Sequence, residues 1–197
     1  MPVLLGSCYH LSRIMTYHVR HLPHWQPRER SIFPTWRLYG SLPQEVVERL
    51  RRRLDSSPER YFVGVDRVLD RAKTGACWLT DSRIAECVLA SIQWGERILG
   101  HYSLRSFVIM SNHVHLLLDP HISIQRITKG LKGSTAREAN RLLGRTGQPF
   151  WQDESFDHWV RNGKQFDRIQ TYIENNPVAA GLAKRPQEWP WSSAAKK

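Results

Sequence analysis

Residues 107–118 read FVIMSNHVHLLL. The run is apolar on both sides of Ser111-Asn112, a pair of small polar residues suited to a turn. YSLRSFVIM and NHVHLLLD therefore read as two strands of an antiparallel hairpin. Strand side chains alternate between faces. Val114, Leu116 and Leu118 share one face, which is the core side. His113, His115 and Leu117 share the other. The two imidazoles point the same way, roughly 7 Å apart along the strand. A single histidine on an apolar strand is usually a core residue with its hydrogen bonds met. Two at i and i+2 must both find partners, and a divalent ion is one partner that serves both.

Working outward, SIFPTWRLYG forms an earlier strand, with Arg37 on the face opposite Trp36 and Leu38. Pro34 suggests an edge position or the start of pairing. Pro43 opens a helix over QEVVERLRRRLD. ERYFVGVDRVLDRA reads as a second helix. DSRIAECVLASIQWGER is a third, with Asp81 as N-cap and Ile84, Val88 and Ile92 on its core face. After the hairpin comes the helix SIQRITKGLKGSTAREANRLLG. A loop over FWQDESFDHWVR runs into a last strand around Phe156–Val160. The helix GKQFDRIQTYIENN ends at Asn176-Pro177, since a residue before proline disfavours the helical region.

This order contains β-α-β-β-α-β, the ferredoxin-like or RRM-like split motif. The fold class is α+β: an antiparallel sheet with helices on one face, extra helices after the first strand, and a C-terminal helix carrying Tyr172. Three segments follow: an N-terminal extension and basic arm over 1–30, a catalytic domain over 31–180, and a C-terminal tail over 181–197.

The chain has 197 residues with 41% hydrophobic content, enough for one domain with a core. No apolar run approaches the ~20 residues that span a bilayer, so no membrane partner is expected. The first residues lack the basic start of a signal peptide. Cys8, Cys77 and Cys87 are too few and too scattered for a disulfide framework or a Cys-based zinc site, which points to a reducing cytoplasm. The net charge is +11. Solvated basic side chains explain part of that. A nucleic-acid partner explains more, since arginine outnumbers lysine and forks well onto phosphate.

The last helix adds to the histidine face. Phe166, Ile169 and Ile173 form its buried stripe. Tyr172 lies beside that stripe, with Gln165, Arg168 and Asn176 on or near its face. Asn176 is one turn after Tyr172, so an amide oxygen and a phenol can reach one ligand. Read singly, Tyr172 would be a packing residue and Asn176 a helix stop.

NHVHLLL followed by YIENNPVAAGL resembles the REP-associated tyrosine transposases, a family of HUH-type single-tyrosine transposases acting on single-stranded DNA. The resemblance extends from about His18 onward through RHLPHWQP, LKGSTAREAN, FWQDESFDHWVR and the WPWSS tail. It implies that His113 and His115 hold a divalent metal, that Asn176 completes the site, and that Tyr172 is the nucleophile. The chain departs from the family at Ser111, where members commonly have proline, and the first 17 residues have no counterpart.

The resemblance also implies an activity: nicking and joining of REP-type DNA hairpins through a covalent 5′-phosphotyrosine intermediate, by a cytoplasmic, nucleoid-associated protein of bacterial type. It implies Mg or Mn. The donor types alone equally suit manganese, cobalt or zinc. The acidic residues Asp153, Glu154 and Asp157 are a rival ligand source, read here as structural. Expected DNA contacts are Lys129, Lys132, Arg137 and Arg141 after the hairpin, Arg28 and Arg37 earlier, and His24 and Trp25 in the arm. Arg168 is placed to hold phosphate or to lower the tyrosine pKa. Two alternatives stand beside this reading: a non-cleaving nucleic-acid-binding module of the same fold, and a histidine-based phosphoesterase acting on RNA with no role for Tyr172. The partner is single-stranded or hairpin DNA. Monomer and homodimer both remain open.

Overall fold

The structure is a computed structural model that describes residues 15–17, 30–54, 58–71 and 75–196. Five strands form one antiparallel sheet in the order β1-β5-β2-β4-β3. They are β1 (Met15–Tyr17), β2 (Ile32–Leu38), β3 (Tyr102–Ile109), β4 (His113–Pro120) and β5 (Trp151–Trp159). The helices are α1 (Gln44–Leu54), α2 (Pro58–Arg71), α3 (Ser82–Arg97), α4 (Ile124–Leu142) and α5 (Gly163–Ala179). Without the short β1 and the inserted α1 and α2, the series is the split β-α-β-β-α-β motif, with β2 and β4 at its centre.

Alternation along the strands divides the interior. Trp36, Val114, Leu116 and Leu118 pack with Ile84, Val88 and Ile92 of α3 and Ile127 and Leu131 of α4. Phe33, Val108 and Leu117 point the other way and meet Ile173, Phe166 and Ile169 of α5 and Phe62 of α2. The expectation of helices on one face is therefore corrected: α2 and α5 cover the second face. Their apolar stripes need burial, and the Phe33–Leu117 side is the sheet surface that receives them.

Three local expectations also change. Pro34 lies in a central strand, not an edge. The β2–β4 partners pass from Ile32–Leu118 to Thr35–His115, so the residue without an N–H sits where that ladder is interrupted. Strand β5 begins at Trp151, ahead of the expected start, because Trp151 pairs with Leu38 and donates its indole N–H to Thr135 Oγ1 at 2.9 Å. Its polar stretch Gln152–Glu154 resembles a loop only when read locally. Helix α5 runs past Asn176 to Ala179 with Pro177 inside it. Proline removes one donor near the helix end, and the next turn survives through Ala180 N–H to Asn176 O at 2.9 Å.

The hairpin turn at Ser111-Asn112 and the N-cap at Asp81 form as expected, Asp81 accepting from Arg83 N–H at 3.0 Å. The WPWSS segment packs on β3: Ser192 bridges Val108, and Trp189 Nε1 donates to Ile109 O at 2.9 Å. That covers part of an otherwise open sheet edge.

Candidate metal and tyrosine site

The second face of the sheet carries the site. His113 and His115 are fully buried, with ring centroids 4.6 Å apart. Both rings are held through Nδ1. Thr35 Oγ1, directly across from His115 on β2, is 2.7 Å from His115 Nδ1. Asn112 Oδ1 is 2.7 Å from His113 Nδ1. With Nδ1 engaged, each ring turns its Nε2 towards Asp66, an arrangement that fixes tautomer and aim in metal sites. Burial is the main influence on His113, with His115 adding to it, and together they lower its pKa to about 3. The ring is thus neutral and able to ligate.

Helix α2 supplies what the sequence reading missed. Asp66, 1% exposed, places Oδ1 3.5 Å from His113 Nε2 and 3.3 Å from His115 Nε2. Burial pushes this carboxyl up, but the neighbouring imidazoles of His115 and His113, with the Asn176 amide adding to them, hold it below the usual carboxylate value. Asp66, His113 and His115 form a group that can hold a metal ion. One turn on, Asp70 Oδ1 lies 3.8 Å from His113 Nε2. Burial first, then the neighbouring Asp66, raises its pKa to about 7. The signal was present in the sequence as a carboxylate within the helical stripe Phe62-Val65-Asp66-Leu69. Only the position of α2 over the sheet shows that this residue is buried.

Asn112 ties α2 to the hairpin. Its Nδ2 donates to Leu69 O at 3.0 Å while its Oδ1 meets His113. Leu42, Val47 and Leu69 close the far side of α2 against α1.

Helix α5 brings Asn176 and Tyr172 to the same face. Asn176 is buried, with its amide 3.4 Å from His115 Nε2. A half-turn of that amide would present Oδ1 instead. Tyr172 is 36% exposed, its ring 5.7 Å from that of His115 and 6.2 Å from that of Phe33. One chain therefore contributes tyrosine, amide and imidazoles to one place. Phe33 stacks on His115 at 5.5 Å, and Phe62 meets its edge at 6.2 Å, giving the imidazole an apolar wall.

The donor set fits a cation. Asp66 Oδ1 and Oδ2, Asp70 Oδ1, His113 Nε2 and Asn176 Oδ1 are all buried without a hydrogen-bond partner. Buried polar atoms are normally paired, and a cluster of unpaired acceptors around one point suits a bound ion.

The expected DNA contacts are scattered. Lys129, Arg137 and Arg168 are exposed. Arg141 is exposed and forked onto Glu138, Nε to Oε2 at 3.0 Å. Arg37 is half-buried and donates to Ser41 Oγ at 3.3 Å. Lys132 points into the protein, donating to Gln152 O at 2.7 Å and Asp153 O at 2.9 Å. It braces α4 against β5. His24, Trp25 and Arg28 lie outside the described residues.

Asp153, Glu154 and Asp157 are not in the Asp66, His113 and His115 group, and all three attract the Lys132 ammonium. Burial raises Asp157 to about 7 against the attraction of Lys132. A raised folded pKa means the native state holds a proton that the unfolded chain releases. The contribution is full below about pH 4 and disappears as pH rises through about 7. Asp157→Asn is expected to flatten the stability curve between about pH 4 and 7 by up to about 1.4 kcal/mol per pH unit. Thermal melts of both proteins across that range check it. Parallel curves would show that Asp157 is ionised in the fold.

Residues 92–176 match the family model described as Transposase IS200 like. That segment includes His113, His115, Tyr172 and Asn176, the residues on which the resemblance read from the sequence rests. The fold is shared with a REP-associated tyrosine transposase solved bound to a REP hairpin. That likeness has a TM-score of 0.57 at 15% identity, covering 90% of this chain and 84% of the other. A second solved structure, described as a candidate transposase from Deinococcus radiodurans R1, aligns at a TM-score of 0.37 and 17% identity, covering 79% of this chain and 98% of the other. No curated protein matches the chain. No helix among the described residues is long and apolar enough to cross a membrane.

Proposed function

We propose, with the IS200-like transposase segment as premise, that this chain is a metal-dependent single-stranded DNA endonuclease and strand transferase. Its substrate is a REP-type DNA hairpin, and its covalent intermediate is a 5′-phosphotyrosine on Tyr172. One observation carries the reading: a surface phenol beside a buried set of neutral and anionic donors, all from one chain. A non-cleaving binder has no use for that arrangement. A phosphoesterase working through histidine has no use for Tyr172.

His113, His115, Asp66 and Asn176 are the groups that would hold the ion, Mg or Mn in this reading. Bound there, it supplies Lewis-acid polarisation and orientation of a phosphate oxygen. The chain's own residues do the rest. Thr35 and Asn112 fix the imidazoles. Phe33 and Phe62 keep water from His115. Tyr172 Oη attacks phosphorus, the P–O3′ bond breaks, and the phenol proton passes in net terms to the departing 3′-oxygen. The phosphodiester energy is kept in the Oη–P bond for joining to a second strand. Exposed Arg168, one turn before Tyr172, is placed to hold a phosphate. Lys129 lines an open groove of about 930 Å³ between α4 and the start of β5, and neutralising phosphates there makes binding salt-dependent. The reading places the protein in the cytoplasm with the nucleoid.

The test is a labelled single-stranded hairpin oligonucleotide incubated with the protein and Mn²⁺, separated on a denaturing gel. Cleavage that leaves a free 3′-hydroxyl and stops with EDTA supports the reading. Tight binding with no cleavage would favour the binding module. Cleavage that leaves no protein on the DNA would favour the phosphoesterase.

A further inference from the structure

A small recess of about 60 Å³ opens between α2 and the sheet. Thr35, Asp66, Phe62, Phe156, Arg37 and Glu154 are among the residues that line it. Thr35 also holds His115, and Asp66 meets both imidazoles, so the recess adjoins the histidine pair. Along β5 the side chains alternate: Glu154 shares the face of Phe156, and Ser155 shares that of Trp151. Glu154 and Ser155 line the recess and also the groove of about 930 Å³ between α4 and β5. Recess and groove therefore meet at this pair of residues.

The charge at that junction is wrong for a phosphate. Glu154 is exposed, and an ionised carboxylate repels the backbone of a nucleic acid and only accepts hydrogen bonds. It suits a strand that turns a base edge towards it, as bases do once out of the stack. The recess has about the volume of two water molecules, so it takes the edge of a ring rather than a whole base. A carboxylate sets two acceptor oxygens side by side. Among the four bases, guanine sets two donors side by side on its Watson–Crick edge, N1–H and the N2 amine. On cytosine and adenine the amine has a ring-nitrogen acceptor beside it, and thymine N3–H lies between two carbonyls. We infer that Glu154 reads one unpaired guanine close to the scissile phosphate, through N1–H and the N2 amine, with Arg37 as the donor to O6. The inference rests on the single-stranded DNA reading above and adds a base requirement to it.

The experiment measures binding of fluorescent DNA hairpins to the full-length protein by anisotropy, in EDTA so that no strand is cut. The hairpins share one stem and carry short unpaired dT flanks on both sides, with a single dG placed at each flank position in turn. One dG position is expected to tighten binding by about tenfold or more over dT alone. At that position dA, a purine that stacks as well, and deoxyinosine, which lacks the N2 amine, are expected to lose most of the gain. Glu154→Gln, a change at an exposed position, is expected to bring the ratio of dG to dT affinity close to one. No preferred dG position in the wild-type protein, equal binding of deoxyinosine, or a preference that survives in Glu154→Gln overturns the inference. Failure to bind any hairpin of the set removes the functional reading along with it, whereas a dG preference that ignores Glu154 leaves that reading standing.

Discussion

Mn²⁺ at a hundred times its dissociation constant is expected to raise the melting temperature by about 5–11 °C, and His115→Ala is expected to abolish that rise together with strand cleavage. An ion that binds only the folded state adds about 2.7 kcal/mol at that concentration. Each kcal/mol moves the midpoint by roughly 2–4 °C in a chain of this size. The effect is large because the site is costly when empty of a cation. Buried acceptors on Asp66, Asp70 and Asn176 have no hydrogen-bond partner, and each loses hydration without gaining a bond. His115 stands at the centre of the group, in contact with Asp66, Asn176, Thr35 and His113. Its removal takes one nitrogen donor and the partner that helps keep Asp66 ionised. Thermal melts with and without Mn²⁺, beside circular dichroism of the variant, check the outcome. A full Mn²⁺ shift in His115→Ala would place the ion elsewhere.

Tyr172→Phe is expected to lower the rate of strand cleavage by more than about 1000-fold, with hairpin affinity nearly unchanged. The hydroxyl is the atom that bonds to phosphorus, and no other group takes over when an activated nucleophile is deleted. The substitution spares the fold. The ring keeps its contacts with Phe33 and His115, and the residue is 36% exposed, so one surface oxygen is all that goes. Single-turnover cleavage and binding measured on the same oligonucleotide separate the two effects. A matched fall in both would mean that Tyr172 positions DNA without reacting with it.

Much of this site could be read from particular residues. The alternation in NHVHLLL puts the imidazoles on one face, and helical spacing puts Tyr172 beside Asn176. Both are local regularities, fixed by backbone geometry. Asp66 and Asp70 were not legible in the same way. Their helix is inserted into the split motif, and a charged residue on a half-apolar helix reads by default as solvated. Its burial depends on Asn112 reaching Leu69 O and on Phe62 stacking on Phe156 at 4.0 Å. These are contacts between segments far apart in sequence. The second helical layer was missed for the same reason: an apolar stripe on α5 shows that a face is buried, not against which side of the sheet. Lys132 teaches the converse. Composition assigns a lysine to phosphate, whereas its surroundings assign it to two carbonyls of β5.

The most direct test of the account is mass spectrometry of the protein after reaction with a REP-type hairpin and Mn²⁺. The account predicts a peptide spanning residues 169–184 that carries a 5′-phosphorylated DNA fragment on Tyr172, absent in Tyr172→Phe. An adduct on another residue, or one that survives in Tyr172→Phe, would contradict it.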